Sequence, residues 1–116
     1  MPQFLVALYR PHNYDPATED AAMSHDIDAL NAEMIAAGAR VFVGGLAPPA
    51  AARTVTAQAG GQTVVTHGLY VAAGDHVGGL WVLDAADPDA ALEWGRKASL
   101  ACRAPVEVRA FLSPAA

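Results

Sequence analysis

A chain of 116 residues, 53% apolar and 16% charged, is the size of one domain with a core of its own. Its net charge of −5 and its seven scattered basic residues exclude the basic stripe that reads nucleic acid. No apolar run approaches the ~20 residues of a membrane span, and the lone Cys102 excludes an internal disulfide or a thiolate metal cluster.

The start of the chain has no basic segment ahead of an apolar one, so the expected compartment is the cytoplasm. Cys102 reads as a small buried apolar residue, the usual behaviour of a free cysteine. Charged residues fall well below the roughly 25% of an average soluble domain. Some apolar surface is therefore expected to be covered by something other than the chain's own fold.

Residues 3–10, QFLVALYR, spell a first strand between Pro2 and Pro11. Phe4, Val6 and Leu8 share one face and Leu5, Ala7 and Tyr9 the other. Both faces are apolar, whereas a strand with one wet face alternates. Asp15-Pro16 has the form of a helix start, an acidic cap followed by proline where a missing N–H costs nothing. Glu19 and Asp20 favour the positive end of that helix. Met23, Ile27, Leu30 and Met34 recur at helical spacing, and Gly38 suits a left-handed cap. The opposite side carries His25, Ala29, Ala32 and Ala36.

Arg40 to Leu46 is a second strand with no polar face at Val41, Phe42 and Val43, followed by the stiff Ala-Pro-Pro-Ala loop at 47–50. Arg53 to Gln58 and Gln62 to Thr66 flank Gly60-Gly61, a two-residue turn that needs positive φ. Their threonine and glutamine content predicts an exposed ribbon at the sheet edge. Leu80 to Leu83 is a buried strand after Gly78-Gly79, and Asp87-Pro88 opens a second helix through about Ala98. Ala91, Trp94, Ala98 and Ala101 lie on one side of that helix. After Pro105, Val106, Val108, Ala110 and Leu112 alternate with Glu107 and Arg109, giving a strand with one dry and one wet face.

The order strand, helix, strand, hairpin, strand, helix, strand predicts an α+β, ferredoxin-like domain with both helices on one face of an antiparallel sheet and an inserted β-hairpin. Because three strands are apolar on both faces, the face without helices needs a cover. A second copy packed sheet against sheet is the simplest, so a homodimer is expected.

These pieces resemble the YCII-related family, in the branch named for an Asp-Gly-Pro-Phe motif. The resemblance runs nearly end to end. It rests on the apolar first strand ending in Tyr9, the helix carrying His25, Ala37-Gly38, and Gly44-Gly45-Leu46-Ala47-Pro48-Pro49. It continues through Gly78-Gly79-Leu80, Asp84, Ala91-Leu92-Glu93-Trp94 and Val106-Glu107-Val108-Arg109. The resemblance implies a dimeric α/β barrel of ferredoxin-like units and, from better-understood relatives, small-molecule enzymes with a histidine–aspartate acid/base pair. His25 matches the family's helix histidine. The motif position reads His67-Gly68-Leu69-Tyr70, so an imidazole stands where the branch has its carboxylate.

The candidate chemistry centres on His25 and His67 as catalytic residues, since imidazole exchanges a proton near neutrality. The plain alternatives are an exposed helix histidine near Asp28 and an ordinary strand-end residue. Tyr9, Arg10 and His12 near the end of the first strand, and Tyr70, Asp75 and His76 in and beside the glycine-punctuated loop, are candidates to line a substrate site. The histidines lack the H-x-x-x-H or H-x-H spacing of a ligand pair, so no metal is expected. Without a phosphate-binding glycine pattern no cofactor is implied either. Gly44-Gly45 and Gly78-Gly79 read as close backbone packing, and Trp81 and Trp94 as core.

Two functions lead: a small-molecule enzyme of lyase, isomerase or hydrolase type, with a pocket between helix and sheet, and a non-catalytic ligand-binding or regulatory dimeric module; a third is oxygen-dependent chemistry without a cofactor, as in other dimeric barrels of this shape. Rings of His25 and His67 sharing one space favour the first; His67 facing bulk water favours the second.

Overall fold

A computed structural model describes residues 1–112. Strands β1 (Gln3–Arg10), β2 (Arg40–Gly45), β5 (His76–Asp84) and β6 (Val106–Ala110) form an antiparallel sheet in the order β2-β5-β1-β6. Helices α1 (Ala21–Ala36) and α2 (Pro88–Cys102) connect the outer strands to the inner ones in two split βαβ units, the ferredoxin-like arrangement. Strands β3 (Arg53–Ala57) and β4 (Thr63–His67) pair only with each other. The ribbon between β2 and β5 is thus a separate two-stranded sheet and does not extend the edge of the main one.

Both β1 ends fall where its flanking prolines place them. Gly60 and Gly61 turn the β3–β4 hairpin with φ of 91° and 86°, and Gly38 leaves α1 at 69°. Asp15, however, caps only a single 3-10 turn, Pro16–Thr18. The long helix starts afresh at Asp20, whose side chain accepts from the Met23 N–H at 2.8 Å. An extended Glu19 separates the two because a second aspartate offers the better-placed cap. Strand β5 begins four residues earlier than Leu80, at His76, and α2 runs on to Cys102. Arg103 then closes α2 in the left-handed region, with φ of 52°.

The core lies between the helices and one sheet face. Val6, Met34 and Leu83 are fully buried there, beside Leu8, Leu30, Trp81, Ala98 and Cys102. Each large side chain removed from water in this way contributes about 1.5–3 kcal/mol. No described helix lies over the other sheet face. Leu5, Leu80 and Val82 are half-exposed there, and Phe42, opposite Val82, is 56% exposed.

Candidate functional site

The site is set by an irregularity between β1 and β5. Leu8 lies opposite Gly79 and Tyr9 opposite Val77, so Gly78 is the extra residue of a bulge. Beyond it Arg10 lies opposite His76. Uninterrupted alternation from Trp81 and Gly79 would have turned Val77 toward the helices. The added residue turns His76 there instead, on the face already held by Val6 and Leu8.

Gly78 also makes room. A Cβ at that position would stand 2.8 Å from Cγ of Arg10. The arginine side chain therefore lies across the bulge and is only 9% exposed. Its Nη1 donates to the carbonyl of Cys102 at 3.0 Å. Its guanidinium carbon sits 4.3 Å from the centre of the Tyr14 ring, a cation–π contact. Tyr14 in turn donates its hydroxyl to the carboxylate of Glu19. Burial, followed by that hydrogen bond, raises the Tyr14 pKa and holds the phenol in its donor form.

These side chains border a cavity of about 380 Å³ between α1, the β2–β5 edge and the segment after β1. Leu8, Ile27, Val43 and Trp81 give it an apolar wall; Arg10, His12, Asn31 and His76 supply polar groups. The Trp81 indole N–H donates to Asn31 Oδ1 at 3.1 Å, and the Asn31 amide donates to the Ile27 carbonyl at 3.1 Å. Trp81 is thus a core residue whose polar end is satisfied. The glycine pairs bring backbone close to backbone: a Cβ on Gly79 would meet the Gly44 carbonyl oxygen at 3.1 Å.

His76 is half-buried, and its Nδ1 is buried with no hydrogen-bond partner among the described residues. Cys102 is buried at the end of α2, and desolvation pushes its thiol pKa up against the pull of Arg10. No group of three or more His, Cys, Asp or Glu side chains able to hold a metal converges among the described residues. No described helix is long and apolar enough to cross a membrane.

The structure brings together Arg10, His12 and His76 from the sequence candidates. His25 is exposed on α1, and His67, the last residue of β4, is exposed opposite Arg53; neither lines the cavity. Tyr9 points to the opposite sheet face and donates to Glu107, a hydrogen bond that raises its pKa. Tyr70 is 82% exposed and Asp75 is exposed, both outside the cavity lining. Tyr14, Asn31 and Trp81 join the site without any local signal: Asn31 meets Trp81 across fifty positions of sequence.

A family model of the YCII-related domain matches residues 4–112, nearly the whole chain. No curated protein matches it.

Proposed function

This chain belongs to the YCII-related domain family, and we propose that it is a cytoplasmic homodimer whose protomers each bind a small organic molecule in the cavity between α1 and the sheet. The observation that carries this is one concave space with an apolar wall and a polar end made by buried Arg10 and half-buried His76. Such a combination orients a ligand while removing its body from water. His67, standing in solvent away from that space, favours the binding or regulatory module over a paired-histidine enzyme.

The test is a thermal-shift screen of small phenols, lactones and keto acids on the wild-type chain and on Gly45→Leu. Gly45 borders the cavity, and a Cβ there meets nothing within 4 Å, so the added side chain fills the space without a clash at its base. A ligand at a hundred times its Kd stabilises the native state by about 2.7 kcal/mol. The expected outcome is a stabilising compound whose effect disappears in a folded Gly45→Leu protein; an unchanged shift in that variant places the binding elsewhere.

A second reading, acid/base chemistry in the same cavity, is favoured by the His76 ring, whose Nδ1 no described protein group holds. His76→Gln would then abolish turnover of a bound compound while leaving its affinity within a few fold.

A further inference from the structure

We propose that the cavity selects an organic carboxylate, with the anion on the Arg10 guanidinium and the apolar body between Ile27 and Trp81. This rests on the ligand-binding proposal above and adds the charge of the ligand. The reason lies in how the cations of this chain are used. Arg96, Lys97 and Arg103 pair with Glu93, Glu33 and Asp26 at the surface, where their side chains are 46–60% exposed. Ion pairs in that setting contribute little. Arg10, buried, has no carboxylate within ion-pair distance among the described residues.

A buried charge without a counter-ion is costly to a fold that gains nothing else from it. Among the described residues only a neutral carbonyl and a ring face serve Arg10. Its Nε and Nη2 donors have no protein acceptor among the described residues, yet neither is sealed from solvent-accessible space. Since the side chain borders the cavity, that space is where those donors are available. A planar fork of parallel N–H groups matches the two oxygens of a carboxylate. Glu19, the acidic residue of the cavity lining, is exposed, accepts from Tyr14 and makes no ion pair with Arg10.

The remaining wall argues for a monoanion with an apolar body. Beyond Arg10 the lining has no lysine or arginine for a doubly charged phosphate, only the imidazoles of His12 and His76, and the whole chain carries −5. A volume near 380 Å³ lies at the small end of ligand cavities, which span roughly 300–1,000 Å³.

The experiment is isothermal titration of the wild-type protein with three matched series, from benzoate to 4-phenylbutyrate, the corresponding amides and the corresponding amines, with inorganic phosphate as a fourth probe. At least one carboxylate should bind about tenfold or more tighter than its amide, the increment of a charge-assisted hydrogen bond. Arg10→Gln should erase that preference. Amides binding as well as carboxylates would overturn the anion selectivity and leave the cavity's role standing. Amines or phosphate binding best would do the same. Silence from all four probes would sink both proposals. Should Arg10→Gln fail to fold, a crystal structure of the wild-type complex decides: a carboxylate away from the guanidinium overturns the assignment.

Discussion

Cys102 shows how burial decides the role of one reactive group. Its carbonyl accepts from Arg10 at the cavity, while its thiol is buried and held protonated by desolvation. Nucleophilic chemistry needs the thiolate, so the folded chain should react slowly with iodoacetamide at neutral pH and quickly in denaturant, as mass spectrometry would record. The pH dependence has a definite sign. The folded-state pKa is raised, so the unfolded chain ionises first as pH climbs. The stability from keeping the thiol neutral is therefore full below the ordinary thiol pKa and lost progressively above it, up to the folded value. Cys102→Ala should remove that alkaline loss from urea-denaturation profiles measured at successive pH values.

Within α2, Gly95 is out of place by propensity alone, since glycine inside a helix costs about 1 kcal/mol relative to alanine. The packing against β6 reverses that balance. A Cβ on Gly95 would stand 2.6 Å from Cγ2 of Val108, a branched side chain with little freedom to withdraw. Gly95→Ala is expected to destabilise the protein by about 1–3 kcal/mol, the range for overpacking, where an exposed helix glycine would give a gain; urea titration reads the sign directly. The same contrast between local and distant neighbours explains which elements are legible in the sequence. Proline boundaries of β1, the Gly60-Gly61 turn and the Asp87-Pro88 helix start act within a few residues, and the structure places those elements accordingly. The new start at Asp20 is hidden because Asp15-Pro16 carries the same local signal. The reach of β5 back to His76 is hidden because a glycine pair reads as punctuation until the neighbouring strand shows it to be a bulge and a close approach. Arg10 and His76 are recognisable as candidates, but their pairing depends on an alternation that only register reveals. His25 matches a position of a pattern and His67 replaces the carboxylate at another, and no local signal shows which space a side chain enters.

At the scale of the molecule, the sheet divides two unlike surfaces. One side holds the core and the cavity; the other presents Leu5, Leu80, Val82 and Phe42 without a cover. Exposed apolar patches are where proteins associate, and the proposed homodimer would close this face. Light scattering should give a particle of twice the 12.0 kDa chain mass, and Phe42→Glu combined with Val82→Lys should return it to a folded single chain. A wild-type protein at the single-chain mass would remove the dimer from the proposal. In a back-to-back pair the two ligand chambers lie on outer flanks with two layers of sheet between them. Occupancy of one then has no direct contact through which to alter the other, so saturation should be hyperbolic, with a Hill coefficient of about one and two ligands per particle.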